Sequence, residues 1–366
     1  MRMPSAGEGR MGRFAQIAKH FNPAWFAAVM GTAVIPLVLS FLNFPGRTFL
    51  ASFFFIAAIA LFLIALVPWT ARFFLFPADV RRDLRHPVAA HFFPTMPIAL
   101  VILALDLLKY PDLFLSAETS RALAFWLWLA GSLGIHIFAL PILIRVFSHK
   151  EITPAHANFG WFIPPVSKMI IPVAGLELTE LYPQALELTF GLSLVSFGIG
   201  FFLFLFVGAA VYHRYIYHEL PMSRLAPTFF IGMVPTAIMA AIFFKMIHLF
   251  ENQVVLGIDP QIFTPLAKIA ILMCWGFSAW WFVVACIMIA YYLRYVELPY
   301  ALSWWAFTFP SGALCLASAA AWQVSGFVSI YAFLLLATCF LLAVWLIVLI
   351  RTIRGIVSGK LFLPVH

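Results

Sequence analysis

Charged side chains are scarce in this sequence. Only 10% of the residues are Asp, Glu, Lys or Arg, whereas 64% are hydrophobic and the mean hydropathy is +1.02. A water-soluble domain needs more polar side chains than this to cover its surface, so the composition excludes that class. It predicts an integral membrane protein, because an uncharged apolar helix of roughly 20 residues is what crosses a bilayer.

Cysteine is also scarce, and the first 20 residues lack the cleavage pattern of a secretory signal peptide. The cysteines show no CxxC spacing and no accompanying histidine cluster, so we interpret them as small apolar packing residues. We therefore expect no metal site and no cofactor. The four residues are Cys274, Cys286, Cys315 and Cys339.

Uncharged runs divide the chain into ten predicted helices. Residues 298–350 form one uncharged run that is too long for a single crossing, so the chain must fold back within it. No soluble domain remains, and we expect one transmembrane domain over residues 21–354, between a cytoplasmic segment (1–20) and a cytoplasmic tail (355–366). The helices are predicted at 23–42, 48–71, 90–108, 122–147, 158–178, 185–212, 226–250, 266–293, 301–322 and 327–351.

An aromatic and proline-rich segment recurs five times, each time before a long uncharged helix. The copies are PAWFAAVMG, HFFPTMP, GWFIPPVSK, TFFIGMVP and AFTFPSG, and they follow one another at nearly regular intervals. Five helical hairpins predict a closed ring around a pore. Proline breaks backbone hydrogen bonds, which lipid does not tolerate, so the proline-bearing odd-numbered helices are expected to form the inner ring. The expected kinks lie at Pro94, Pro164, Pro235 and Pro310.

Basic residues are distributed unevenly between the two ends of these helices. With the N-terminus in the cytoplasm, sixteen of the 22 Lys and Arg lie on the cytoplasmic side, Lys150 and Lys360 among them. This bias predicts that both termini are cytoplasmic and that the protein lies in the cytoplasmic (inner) membrane. Topology and anionic lipid then account for the net charge of +8, and we expect no nucleic-acid partner.

Three segments resemble one known family. FNPAWFAAVMGTAV, FGWFIPPVSKMIIPVAG and SWWAFTFPSGALCLAS are similar to the tellurite-resistance/dicarboxylate transporter family. That family includes the bacterial tellurite-resistance protein, plant slow anion channels, and fungal malate permeases and sulfite efflux pumps. The resemblance implies an all-α, ten-helix fold with quasi-fivefold symmetry around a central pore. It also implies a homotrimer with one pore per subunit, and transport of small anions rather than catalysis.

The same resemblance implies a role for Phe309. In the channel members a phenylalanine of the ninth helix closes the pore, and it matches Phe309. An aromatic ring across a narrow apolar constriction blocks an anion until the ring rotates. The alternative is that Phe309 packs helix against helix, as most of the 41 phenylalanines must. Further candidates for the pore lining, each with helix packing as the alternative, are Phe26, Phe93, Phe162, Phe230, Gly31, Gly232 and Gly312.

Lysines within the predicted spans are candidates for attracting anions. A lysine at membrane depth is costly unless it faces water, a carboxylate or a ligand. Lys168 meets that description, and so does Lys245, which His248 follows three residues later. The alternatives are snorkelling and pairing, in the case of Lys245 with Glu251.

Three functions remain open. The TFP match favours an anion channel, and the PAWFAAVMGT opening favours a proton-coupled carrier of C4-dicarboxylates such as malate, or of sulfite. Proton relay in a carrier would use His91, His136 and Asp106, unless these are simply hydrogen-bonded to neighbouring helices, or Asp106 pairs with Lys109. The third function is a haem-binding redox protein, which would need paired histidines on facing helices.

Overall fold

Long helices make up the described part of the chain. The computed structural model describes residues 12–86, 88–148, 152–359 and 361, and over these ranges it contains helices and connecting segments but no strand. Lys150, Lys360 and most of the two predicted cytoplasmic termini lie outside the described residues.

Twelve α-helices are present in these ranges. They are α1 (Arg13–Lys19), α2 (Phe26–Leu39), α3 (Arg47–Leu75), α4 (Pro77–Leu84), α5 (Thr95–Lys109), α6 (Ala117–Ser148), α7 (Ile163–Leu181), α8 (Leu186–Tyr217), α9 (Val234–Asn252), α10 (Pro260–Tyr295), α11 (Thr308–Ser325) and α12 (Val328–Val357).

Short 3₁₀ helices lead into every helix that follows a repeated segment. Segments Pro23–Trp25, Ala89–Phe92, Phe159–Phe162, Ser223–Met233 and Leu302–Phe307 precede α2, α5, α7, α9 and α11 respectively. Two further 3₁₀ helices, Pro154–His156 and Pro183–Ala185, lie in the connections before α7 and α8.

Eight of the helical segments in the described ranges are long and apolar enough to cross a membrane. A ninth is obtained when α1 and α2, which meet at a bend of 94°, are taken as one broken span. The short helix α11 is not among them. It is rich in Ala and Ser and is buried along most of its length. A helix surrounded by protein does not need the hydropathy of one that faces lipid.

Five of the twelve α-helices in the described ranges form an inner ring. α2 packs against α5, α5 against α7, α7 against α9, α9 against α11, and α11 closes the circle against α2. The other five long helices lie outside, each packed against the inner helix that precedes it in the chain. The most apolar stretch of Phe159–Leu181 is 94% buried and that of Pro183–Tyr217 only 17%, so the division into inner and outer helices agrees with the prediction.

The prolines lie elsewhere in the helices than the sequence pattern predicted. Pro94, Pro164, Pro235 and Pro310 sit at the beginning or in the first turn of their α-helices, where the chain changes from 3₁₀ to α geometry. Proline is tolerated there because the backbone N–H that it lacks has no partner within the helix anyway. The prolines inside inner helices are Pro36 and Pro172, and three outer helices contain Pro68, Pro141 and Pro265.

A buried arginine fixes the approach to the first inner helix. The Arg72 side chain on α3 donates to the Phe21 carbonyl oxygen at 2.6 Å and to the Asp83 carboxylate at 2.6 Å. Asp83 belongs to α4, so one guanidinium ties together α3, α4 and the segment before α2. Because Arg72 is only 2% exposed, both hydrogen bonds are protected from water.

Candidate functional site

A cavity lies at the N-terminal ends of the inner helices, and we call it the N-terminal cavity. All five inner helices or the 3₁₀ segments before them contribute to its wall, and its empty volume, open mouth included, is about 580 Å³. The wall is mostly aliphatic and aromatic, with hydroxyl groups at Thr95, Thr228 and Ser303. No Asp, Glu, Lys or Arg of the described ranges lines it, so an anion inside would meet no fixed charge from them.

A second cavity of about 370 Å³ follows further along the same helices, and we call it the C-terminal cavity. Each inner helix again contributes to the wall, which consists of Val, Leu, Ile, Ala and Phe side chains. Because the first parts of all five helices line one cavity and their later parts line the other, the five inner helices run parallel. The two cavities therefore lie in succession along one axis.

Phe309 is the one residue, among those that the structure describes, that lines both cavities. It belongs to the first turn of α11 and is 7% exposed. The ring therefore stands at the boundary between the two cavities, in the middle of the inner ring of helices.

The other inner helices place aliphatic side chains at the level of Phe309. Met30, Ile98, Val166 and Val234 are the last residues of their helices to line the N-terminal cavity before the lining passes to the C-terminal cavity. These four are equally spaced along the chain, and Phe309 follows at a slightly longer interval, so this series is more regular than that of the five phenylalanines. One aromatic and four aliphatic side chains therefore lie at the level between the two cavities, which we call the constriction.

The remaining repeat phenylalanines do not line either cavity. Their rings pack against outer helices. In the last repeat the equivalent residue is Trp305 and not Phe309, because Trp305 follows Phe230 at the same interval as Phe309 follows Val234. The Trp305 indole N–H accordingly donates to Thr352 Oγ1 on α12 at 3.1 Å. The ring centroids lie 5.7 Å apart for Phe26 and Trp69, 5.7 Å for Phe93 and Phe138, 5.5 Å for Phe162 and Phe204, and 5.8 Å for Phe230 and Phe282.

The three candidate glycines mark close approaches between helices. A Cβ atom on Gly31 would overlap Thr308, one on Gly232 would overlap the Trp281 indole, and one on Gly312 would overlap Val34. None of the three glycines lines either of the two cavities. Of the two roles considered for them, the geometry fits helix packing.

Lys168 is buried but lines neither cavity. It follows the lining residue Val166 by two positions, which turns its side chain about 200° around α7. The residue is 4% exposed, and its Nζ has no hydrogen-bond partner among the described residues. Lys168 therefore does not contact an anion in either cavity directly, contrary to the role expected for it.

Lys245 forms an ion pair with Glu177 of the neighbouring helix α7 and not with Glu251. Both side chains are partly exposed, at 27% and 29%. Glu251 instead accepts a hydrogen bond of 3.3 Å from Thr264 Oγ1. His248 is exposed at the same end of α9, with its ring edge-on to Phe244 at 4.7 Å.

The three candidates for proton relay have different surroundings. His91 is stacked on Trp161 at 5.2 Å, and His136 Nδ1 lies 2.9 Å from the Ser132 carbonyl oxygen of its own helix. Asp106 is fully buried near the C-terminal end of α5. It lies roughly 20 Å from His91 when the distance is measured along the helix axis. Its carboxylate does not pair with Lys109, and neither oxygen has a hydrogen-bond partner among the described residues.

Helix dipoles supply the electrostatic character that the cavity walls lack. Because the inner helices are parallel, five helix N-termini surround the N-terminal cavity, and each carries a partial positive charge of roughly half an elementary charge. Such termini attract anions without the tight binding of a fixed ammonium or guanidinium group. In the described ranges no group of three or more His, Cys, Asp and Glu side chains is placed to hold a metal ion.

Comparison with known proteins agrees with this architecture. The family model described as SLAC1, voltage-dependent anion channel, matches residues 20–353. The chain belongs to this family of anion channels and transporters. The family resemblance seen in the sequence is therefore confirmed, and the protein is a multi-pass membrane protein of a transport family rather than of an enzyme family.

Relatives of this family member include named transporters. The uncharacterized transporter MJ0762 of Methanocaldococcus jannaschii is 33% identical, over 94% of this chain and 97% of that protein. The malic acid transport protein of Schizosaccharomyces pombe is 23% identical, over 81% of this chain and 69% of that protein. A sulfite efflux pump of Arthroderma benhamiae is also 23% identical, over 86% of this chain and 85% of that protein.

Proposed function

We propose that anions cross the membrane along the axis of the five inner helices and that Phe309 is the gate. The observation that carries this proposal is the position of Phe309, which alone among the described residues is shared by the two cavities. All five inner helices contribute to both cavities, and Phe309 lies between the two on their common axis. Rotation of one side chain would then join the two cavities.

The apolar wall is compatible with conduction of anions. An ion passes quickly only where binding is weak enough for it to leave again. Five helix N-termini at the N-terminal cavity attract anions, and within the described part of the chain no charged side chain lines the two cavities and would trap them. Selectivity in such a path depends on its radius and on the placement of dipoles.

Small inorganic anions and C4-dicarboxylates are the proposed substrates. Malate and sulfite are supported by the names of two relatives, and chloride, nitrate and tellurite belong to the same class of small anions. A passive channel is the favoured mechanism, because His91, His136 and Asp106 line neither cavity. Proton-coupled carriage remains the second candidate, on the strength of the malic acid transport relative.

The proposed arrangement in the membrane follows the sequence. Residues 21–354 form one domain of ten helices with quasi-fivefold symmetry, and both termini lie on the cytoplasmic side of the inner membrane. The positive-inside bias supports this orientation. Assembly as a homotrimer is proposed from the family resemblance, and the mass of the detergent-solubilised protein tests it.

Flux through purified protein in liposomes tests the proposed function. Chloride, nitrate, sulfite and malate are compared for wild type and for Phe309→Ala, with and without a pH gradient. We expect the variant to carry large anion fluxes that do not depend on the gradient. Saturable uptake of malate or sulfite that follows the gradient would establish a carrier, and absence of anion flux from both proteins would refute the proposed function.

A further inference from the structure

The lining of the pathway continues beyond the C-terminal cavity into a level that contains charged residues. On each inner helix the lining residues from the level of Phe309 onwards follow one another at intervals of four and three positions, as in Met30, Val34 and Leu37. A further step of four positions leads to the residue 11 positions after the level of Phe309. Because 11 residues make about three helical turns, this residue lies on the same face of the helix as the lining residues. The residues at this next level are Phe41, Lys109, Glu177, Lys245 and Ala320.

Contacts join the first four of these residues in two pairs. Glu177 and Lys245 form the ion pair described above, between α7 and α9. Lys109 Nζ lies 5.5 Å from the centroid of the Phe41 ring, between α5 and the end of α2. Lys109 also experiences the charges of Glu177 and Lys245. Together with Ala320 on α11, we call these residues the C-terminal ring.

Three side chains of this ring reach the surface of the protein. Lys109 is exposed, and the side chains of Lys245 and Glu177 are more than a quarter exposed. The ring lies one helical turn, about 6 Å, beyond the last lining residues of the C-terminal cavity. On the proposed pathway, this ring is therefore the mouth at which an ion enters or leaves.

The mouth needs positive charge for a physical reason. The inner helices are parallel, so the end that is opposite to their N-termini collects five C-terminal ends, each with a partial negative charge of roughly half an elementary charge. An anion that is attracted at the N-terminal cavity would be repelled here. Lys109 and Lys245 are the cations placed on the lining face to offset that repulsion.

We propose that Lys109 and Lys245 form an anion-binding site at this mouth and that Glu177 is a built-in competitor for it. The proposal rests on the proposed anion pathway and names a site within it. The Glu177 carboxylate occupies Lys245 when no ion is present. An arriving carboxylate or oxyanion displaces it and binds both lysines, and the return of Glu177 releases the ion. Competition keeps the binding weak, which transport requires.

Two substitutions with opposite expected effects test the site. Glu177→Gln removes the competitor, and we expect the half-saturating concentration of malate or chloride to fall roughly fivefold, the ratio that corresponds to about 1 kcal/mol for a partly exposed ion pair. Lys245→Met removes a ligand and should raise that concentration by a similar factor. Lys268→Met, an exposed lysine of the outer helix α10, is the matched control and should leave it unchanged.

A pair with a purely structural role gives a different pattern. Both substitutions would then lower the melting temperature by similar amounts and leave the half-saturating concentrations equal to that of wild type. That result, obtained with variants that still carry flux, would overturn the site while leaving the proposed function intact. If neither wild type nor Phe309→Ala carries anions, the proposed function falls, and this site falls with it.

Discussion

Replacing Phe309 by alanine should separate gating from packing when it is compared with the same change at Phe230. Opening the wild-type gate requires the ring to leave a buried position, which costs about 1.5–3 kcal/mol, and to adopt an unfavourable rotamer in the open state, which costs about 1 kcal/mol. A total of about 3 kcal/mol corresponds to an open population of roughly one in a hundred. Phe309→Ala removes this cost and should raise anion flux roughly a hundredfold.

Phe230→Ala should behave in the opposite way. The Phe230 ring packs against Phe282, Phe307 and Phe340 at centroid distances of 5.0–5.8 Å and lines neither cavity. We expect its loss to destabilise the fold by about 3–5 kcal/mol, the usual cost of removing a buried aromatic ring, and to leave flux per folded molecule unchanged.

Liposome flux assays, scaled to the amount of folded protein in each preparation, measure the first effect. Thermal unfolding in detergent measures the second. Equal flux increases in both variants would refute the reasoning, because they would show that loosened packing and not removal of one ring opens the path. A well-folded Phe309→Ala protein with wild-type flux would refute it as well.

Three further predictions concern residues outside the constriction. Gly232→Val should lower the melting temperature, because a Cβ at this position overlaps Trp281, whereas Gly191→Ala should not, because the space around that glycine is empty. Lys168→Met should leave the concentration dependence of anion flux unchanged and should not destabilise the protein, since it removes a buried ammonium that has no partner among the described residues; weakened flux would show that this lysine does act on the pathway. Arg72→Met should destabilise the protein by roughly 3 kcal/mol, as loss of one partner in a buried ion pair does. Chemical denaturation measures this change, and a smaller effect would contradict the proposal that Arg72 holds α3, α4 and the segment before α2 together.

Hydropathy and repeats predicted the architecture well because both depend on long stretches of chain. The inner helices are the ones that follow the repeated segment, and their burial follows from the position of each hairpin in the ring. The sequence did not reveal the depth of each residue. The phenylalanines were matched by residue type, which aligned Phe309 with Phe230, although the structure aligns Phe230 with Trp305.

Side-chain direction explains this difference. The residues level with Phe309 are Met, Ile and Val and share only their apolar character. No single residue type therefore recurs at this level of the repeats. The aromatic residues are conspicuous in the repeats because they fill the space between inner and outer helices. A constriction can be formed by any apolar side chain of suitable size, and chemical identity is therefore a poor guide to it.

The partner of Lys245 could have been predicted from the sequence. Lys109, Glu177 and Lys245 are equally spaced along the chain, at the same interval that separates the lining residues of their helices. Pairing within one helix, with Glu251, was the simpler assumption and was wrong. The absence of a pair between Asp106 and Lys109, in contrast, could not be anticipated, because only the packing of α5 shows that Lys109 turns away from Asp106.

The parallel inner helices with their common lining interval have a consequence for how such proteins diversify. The proposed pathway is a stack of layers, and each inner helix contributes to every layer. A substitution changes the chemistry at one depth and leaves the layers above and below it intact. Ion preference at the mouth and closure at the constriction can therefore evolve independently, within a single unchanged helical scaffold.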